Sequence, residues 1–402
     1  MTLTRGTIDS TEASAGASDD YLARARALVP VIEANAAAGE AAGAMPAATI
    51  QALKDAGLFW MLVERDLGGG GIPIDEALEV MEIISEADGS TGWALMASSV
   101  STWNSSQFYP GLRRLYGEGE RPITCGTQAP LGTAVKVDGG YLVTTPPVPF
   151  GSGMDAADWV GTTVRIVDAE GTPVLREGGA PLTRAVRAPK AETTVYGDWD
   201  VMGLAATGSY TYGWNEYFVP EEFSFDAAPL VPPPGQDYRG ATLDLMSSGV
   251  VGHGAVVLGL MRRALREVAA IVDGKKRMGY AVPVNEYPVF AKEFVEADAA
   301  FWSIRDYFYR VIREAMSSVE QTQSLTAEQM ARVRQATTHL HTVATEVTLF
   351  ASLWGGTQTI RNPSFLGRAV RDLVVARNHA LIDPVTLDNA AAPIIDSWRS
   401  VA

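Results

Sequence analysis

The strongest constraint on this chain is a block order in its hydrophobic pattern: helical, then β, then helical again, with no alternation between the two periods. From about Asp19 to Tyr109 the spacing is helical, and Ile74, Leu78, Met81 and Ile84 recur at intervals of four and three, a single apolar stripe. Between Glu118 and Asp226 the texture shifts to short runs rich in Val, Thr, Tyr and Trp. These runs, Ala134 to Val137, Tyr141 to Thr144, Trp159 to Val167, Thr193 to Tyr196 and Tyr210 to Val219, are separated by turns such as Asp138-Gly139-Gly140. They predict a compact antiparallel β domain. From Leu243 to Arg377 the chain reads as long helices again: Val250 to Val272, Pro288 to Ser318, Thr326 to Leu353, and a last one through Arg368 to His379. Helices of this length with short joints make a bundle. A doubly wound sheet needs strands and helices to alternate, so it is disfavoured.

The expected division is an N-terminal helical domain over 1–118 with its first 18 or so residues flexible, a β domain over 119–226, and a C-terminal bundle over 227–402. The connector Pro232-Pro233-Pro234-Gly235 leads into the bundle. Asp75 is placed to cap the helix that begins near Ile74, and Gly57 to follow a helix C-cap. The run Gly68 to Gly71 lacks a Lys-Ser/Thr ending and reads as a turn rather than a phosphate cradle.

Composition removes several function classes. Against 47 acidic residues stand 32 basic ones, a net charge of −15 with no Lys/Arg-rich run, which disfavours nucleic acid and anionic membranes. The polar N-terminus has no apolar stretch of a secretory signal, and no apolar run approaches the roughly 20 residues of a membrane span. A cytoplasmic protein is expected. A single cysteine, Cys125, excludes an intramolecular disulfide and a Cys-based zinc cluster. No GxSxG, HExxH or CxxC is present, and no metal site is expected. His339 and His341 point to different sides of a helix and read as ordinary helix residues, and His253, between two glycines at an expected helix start, reads as a packing or capping residue. Cys125 reads as a buried structural thiol. His379 reads either as a helix C-terminal residue favoured by the dipole or as a functional one.

Eight short motifs decide how that last choice is weighted. In chain order they are Leu53-Lys54-Asp55-Ala56-Gly57-Leu58, Asp66-Leu67-Gly68-Gly69, Ala87-Asp88-Gly89-Ser90-Thr91-Gly92-Trp93, Asp138-Gly139-Gly140-Tyr141, Phe150-Gly151-Ser152-Gly153, Gly203 through Thr207-Gly208-Ser209, Phe218-Val219-Pro220, and Arg371-Asp372 through His379. Together they resemble the acyl-CoA dehydrogenase superfamily, and more closely its flavin-dependent monooxygenase branch, which includes the oxygenase components of two-component aromatic hydroxylases, dibenzothiophene monooxygenases and sugar N-oxygenases. The resemblance implies an α+β fold: a helical domain, a β-barrel-like domain and a four-helix bundle. Many dehydrogenases of the family carry their catalytic Glu eight residues after the Arg-Asp motif. Here that position is Ala380, with Asp383 the nearest alternative carboxylate, and no Glu stands at the other base position near Val250 to His253. The monooxygenase branch has a His one residue earlier, where His379 stands. Its Gly-x-Trp-x-Phe-x-Ser-Gly stretch is kept here at Phe150, Ser152 and Gly153, while Pro146 and Val148 replace Gly and Trp, and the prolines must alter that strand.

What the resemblance implies is an oxygenase that takes reduced FMN, or else FAD, from a separate NAD(P)H:flavin reductase and uses O2 through a flavin C4a-hydroperoxide on a small aromatic or heteroatom-containing substrate. His379 and Ser152 are its expected catalytic residues: Ser152 at the flavin N5 edge, and His379 as base or hydrogen-bond partner. Phe150, Ser152, Thr207, Ser209, Arg277, Gly355 and Gly356 are expected to hold the cofactor, Arg277 as a phosphate clamp with its planar fork of donors. Trp93, Trp103, Asn104 and Phe108 are expected to line the substrate. A homotetramer, a dimer of dimers, is the assembly the resemblance implies. The alternatives are an FAD-dependent acyl-CoA dehydrogenase or oxidase, and a non-catalytic member of the fold.

Overall fold

The computed structural model describes residues 20–227, 245–322 and 324–399. The flexible first residues and the Pro232 to Gly235 connector expected from sequence lie outside these. The helices α1 (Tyr21–Ala42), α2 (Ala47–Asp55), α3 (Ile74–Ala87), α4 (Gly89–Phe108) and α5 (Pro110–Gly117) come first. Asp20 caps α1 by accepting the Ala23 N–H at 2.8 Å, and Asp88 caps α4 by accepting from Thr91 N at 2.9 Å. Gly57 adopts the left-handed conformation just past the C-cap of α2, as expected. Asp75 does not cap α3. That role falls to Pro73, with no side-chain bond, and Asp75 instead pairs with Arg313 at 3.0 Å. The stripe Ile74, Leu78, Met81 and Ile84 is fully buried.

Among the described residues nine strands follow: β1 (Thr124–Val137), β2 (Gly140–Thr144), β3 (Val148–Gly151), β4 (Trp159–Val167), β5 (Thr183–Pro189), β6 (Thr194–Val195), β7 (Tyr210–Gly213), β8 (Tyr217–Pro220) and β9 (Ser224–Asp226). Six form a sheet in the order β8-β2-β1-β4-β5-β9, and three a second sheet, β3-β7-β6. All pairs are antiparallel except β1 with β4, which run parallel. The run expected over Tyr210 to Val219 divides between the two sheets as β7 and β8. Cys125 is buried in β1, and burial pushes its thiol up to about 12, in keeping with a structural role.

The C-terminal helices are α6 (Leu245–Val272), α7 (Pro288–Thr322), α8 (Ala327–Gly355), α9 (Thr357–Ile360), α10 (Phe365–Ala376) and α11 (Thr386–Arg399). A Thr326/Gln329 capping box starts α8, and the Ser364 hydroxyl starts α10 by accepting from Gly367 N. The last bundle helix ends at Ala376, so His379 lies beyond it, at the start of a 3-10 turn, Ala380–Ile382. Helix α6 packs against α3, α4, α7, α8 and α10. Gly259 lets it press against α3, since a Cβ there would lie 2.5 Å from the Glu82 carbonyl.

A buried carboxylate joins these helices. Glu82 on α3 meets Arg262 of α6 at 2.6 Å, Arg305 of α7 at 3.0 Å and the Tyr309 hydroxyl at 2.9 Å. Removing it would leave two arginines and a buried phenol without their acceptor. Glu82→Ala is therefore expected to lower the unfolding free energy by about 3 kcal/mol, measured by urea denaturation. A loss below about 1 kcal/mol would mean that both arginines turn freely to water.

Candidate active site

Three of the four histidines converge at one place. His253 on α6 packs its ring 4.2 Å from that of His379, and Trp93 on α4 lies edge-on to both, at 4.8 and 5.9 Å. His341 on α8 is close enough to feel the charge of His379. Helix α6 reaches this point because Gly252 and Gly254 flank His253. A Cβ at Gly252 would lie 2.7 Å from Met96, and one at Gly254 would lie 2.5 Å from Phe308.

Hydrogen-bond accounting fixes the tautomers. A carbonyl only accepts, so His253 donates its Nδ1–H to Gly249 O at 2.7 Å and keeps a lone pair on Nε2. His341 likewise donates Nδ1–H to Thr337 O at 2.8 Å, and its buried Nε2 has no partner. His379 is the reverse. Its Nδ1 accepts the Leu381 N–H at 3.2 Å, so the proton of the neutral ring sits on Nε2. Burial pushes all three rings toward the neutral form: His253 well below the usual range, with the His379 charge adding to the effect, and His341 down to about 4. His379 is thus a neutral Nε2–H donor flanked by rings that carry lone pairs.

A second chain of groups leads away from Trp93. Its indole N–H donates to Ser152 Oγ at 3.2 Å, Ser152 and Ser209 lie 2.7 Å apart, and Ser209 and Thr207 lie 2.7 Å apart. Thr207 donates to the Leu204 carbonyl at 2.8 Å. That spends its proton, so Ser209 must donate to Thr207, and Ser152 to Ser209. The direction is therefore fixed from Trp93 to Leu204, and the remaining capacity of Ser152 is a lone pair. Two non-glycine residues with left-handed backbone flank this chain: Phe150 at φ 67° and Leu204 at φ 54°. Phe150 lies within the irregular β3, which itself takes in Val148 and Pro149, and 62% of its surface is exposed, with Trp199 as its ring contact.

The expected site residues divide into three groups. His379, Ser152, Thr207, Ser209, Phe150 and Trp93 share the site just described. Arg277, Gly355 and Gly356 share another place. There Arg277 donates to the Leu353 and Trp354 carbonyls at 2.9 and 2.6 Å, and Lys275 to Gly355 O at 3.0 Å, closing the C-terminus of α8. At 1.5 Å rise per residue this end of α8 lies about 20 Å from His341. Trp103, Asn104 and Phe108 are buried further along α4, roughly 15 to 22 Å beyond Trp93, and Phe108 stacks on Phe225 at 5.1 Å. They are not gathered at His379, because α4 carries its residues along the axis faster than its side chains can reach back. Ala380 is exposed, and the exposed Asp383 accepts from Val385 N at 2.9 Å, so no carboxylate takes the place of the dehydrogenase base. Among the described residues, no three His, Cys, Asp or Glu could hold a metal ion, and no helix is long and apolar enough to cross a membrane.

A reduced isoalloxazine carries an N5–H donor beside carbonyl acceptors. The acceptor Ser152, the donor His379 and the exposed Phe150 ring fit that edge. Arg277, the expected phosphate clamp, lies away from this edge, at the C-terminus of α8.

Sequence reasoning passed over His253 and His341, because nothing local links α6, α8 and the 3-10 turn. The glycines flanking His253 were the available signal. The buried neutral rings set a pH dependence. The unfolded chain binds a proton at His341 near pH 6.5 and the folded chain only near 4, so stability is lost as pH falls through this window. The stability of the wild type relative to His341→Gln should fall by up to about 1.4 kcal/mol per pH unit there, read from parallel denaturation curves. A constant difference would place a charged His341 in the folded state.

The models of the acyl-CoA dehydrogenase N-terminal and C-terminal domains match residues 22–108 and 251–384, together more than half the chain. The indole-3-acetate monooxygenase of Pseudomonas putida is 28% identical over 345 residues, 85% of each chain. The oxygenase subunit HsaA of a flavin-dependent monooxygenase from Mycobacterium tuberculosis is 32% identical over 196 residues, 48% of this chain and 47% of that one. Among solved structures, XiaF from Streptomyces, in complex with FADH2 and glycerol, superposes with a TM-score of 0.84 at 22% identity, over 94% of this chain and 95% of that one. KijD3, in complex with FMN and a dTDP-amino sugar, gives 0.75 at 17% identity, over 96% and 95%. This chain belongs to the acyl-CoA dehydrogenase family, on the branch of the flavin-dependent monooxygenases.

Proposed function

We propose that the protein is the oxygenase component of a two-component system, receiving reduced flavin from a separate NAD(P)H:flavin reductase and oxygenating a small aromatic substrate. The observation that carries this reading is that Trp93 touches both a neutral Nε2–H donor, His379, and a Ser152 whose remaining capacity is to accept, in the absence of a carboxylate at Ala380. A dehydrogenase needs a base strong enough to remove a carbon-bound proton. A ring held neutral, with its Nδ1 already occupied, is not that base.

Reduced flavin, when bound, activates O2 for transfer of one oxygen atom. Ser152 accepts a hydrogen bond from the N5 edge and orients it. His379 would hold a proton at Nε2 for a developing negative charge on oxygen, and the rings of Trp93 and His253 would limit access of water. Trp93 is the substrate-facing residue of this reading. Neighbours of the fold bind FADH2 in one case and FMN in another, and reduced FMN is the flavin of this reading. Phosphate contacts would come from Arg277, Gly355 and Gly356 of another copy in a homotetramer. The exposed Leu349, Leu353 and Ile360 around the end of α8 support such an assembly. The reading places the enzyme in the cytoplasm, where reduced nicotinamide sustains the reductase.

Indole-3-acetate is the first substrate to try, given the relative matched over most of its length. With reduced FMN or FADH2 and labelled dioxygen, one labelled oxygen should enter the product. His379→Ala should lower the fraction of oxygen reaching product roughly tenfold, about 1.4 kcal/mol, with the rest appearing as H2O2. Release of all oxygen as H2O2 with every aromatic substrate offered would overturn the reading, and unchanged coupling in the variant would remove His379 from it.

A further inference from the structure

The polarised hydroxyl chain that ends at the Leu204 carbonyl has an anchor beyond it. The backbone N–H of Leu204 donates to Asp372 Oδ1 at 2.6 Å. Leu204 is one of three described non-glycine residues with positive φ, and leucine has no side-chain group to stabilise that conformation locally. Something outside the loop must hold it. The contacts point to α10: a Cβ at Gly203 would lie 2.2 Å from the Arg371 carbonyl, and one at Gly89 would lie 2.5 Å from Asp372 Oδ2. The Asp372 carboxyl is therefore wedged between the start of α4, the helix that carries Trp93, and the loop that carries Thr207 and Ser209. A weaker tie runs parallel to it, from Ala206 N to Ser90 Oγ at 3.3 Å.

We infer that Asp372 is the positioning residue of the site: by holding Leu204 in its left-handed conformation it sets Thr207 and Ser209, and through them fixes Ser152 as an acceptor beneath Trp93. Each group in the series has one direction available to it. Trp93 N–H gives to Ser152, Ser152 to Ser209, Ser209 to Thr207 and Thr207 to the Leu204 carbonyl, while the Leu204 N–H gives to Asp372. If Leu204 relaxes to negative φ, its carbonyl turns away. Thr207 and Ser209 can then reverse their hydroxyls, and Ser152 is free to donate. The site then offers a donor where the proposed chemistry needs an acceptor. Burial, with the Asp88 carboxylate beside it, pushes Asp372 up to about 8, so an amide of the same shape is a fair replacement for its mostly neutral form.

The assignment rests on the monooxygenase reading for its consequence, though not for its geometry, and the test separates the two. The first readout is the indole N–H resonance of Trp93 in the protein without flavin, assigned through Trp93→Phe. Asp372→Ala should shift it, Asp372→Asn should leave it near the wild-type position, and Asp372→Ala with Leu204→Gly should return it, because glycine adopts positive φ unaided. The second readout is the fraction of oxygen reaching product. It should fall at least threefold in Asp372→Ala with little change in substrate KM, and recover in the other two proteins. An unmoved indole resonance in a folded Asp372→Ala protein would overturn the assignment whatever the activity. So would a shift that Leu204→Gly fails to reverse. A shifted and rescued resonance without oxygenase activity in the wild type would leave the positioning role intact and overturn the monooxygenase reading instead.

Discussion

The buried ion pair between Arg368 on α10 and Asp88 at the start of α4 is the interaction on which the rest of the architecture depends. The two groups meet at 3.1 Å with side chains 5% and 2% exposed, and Asp88 also caps α4 through Thr91. Glu40 of α1 reaches the same helix, at Arg368 and at Arg371. One short helix, α10, thereby joins the first and fourth helices. A pair this deep gives little net stability over apolar packing, but either partner left alone would be very costly, so the pairing selects one arrangement. That selection places Asp372, one turn further along α10, against the Leu204 loop.

Charge is excluded from the site itself. Three imidazoles share a region in which burial holds each of them neutral, and their backbone partners choose which nitrogen keeps the proton. A net charge of −15 leaves the molecule many carboxylates, yet none stands beside His379 at Ala380, and Asp383 turns back to its own backbone. The pattern suits chemistry supplied by a bound flavin, with the protein adding orientation, directed donors and acceptors, and shelter from water. Glu82 shows the contrast: a buried carboxylate far down α3 that is fully engaged by two arginines and a tyrosine holds helices together.

The block order of helices, strands and helices was legible because amphipathic periods are local. The stripe from Ile74 to Ile84 and the long helices of the bundle appear where the pattern places them. Strands β3, β5 and β9 are missing from the runs read by pattern, and β3 in particular is built around prolines and a strained Phe150, with its partner β7 far away in sequence. The parallel pairing of β1 with β4 also has no local signature. Within the site, the motifs around Ser152, Thr207, Ser209 and His379 pointed to one place, and so did Trp93. Trp103, Asn104 and Phe108, expected with Trp93 along the substrate, lie further along α4, because each residue advances about 1.5 Å along a helix axis.

The sequence by itself determined the order of elements, the absence of a dehydrogenase carboxylate, and the residue types available for catalysis. All of these are properties of single positions or short windows. Only the tertiary structure decided that His253 and His341 join His379, which tautomer each ring adopts, and which way the hydroxyls from Ser152 to Thr207 point. Proton positions depend on which acceptor each donor meets across helices that are far apart in the chain. A hydrogen bond from Leu204 to Asp372 is set by packing, and no periodicity in the sequence encodes it.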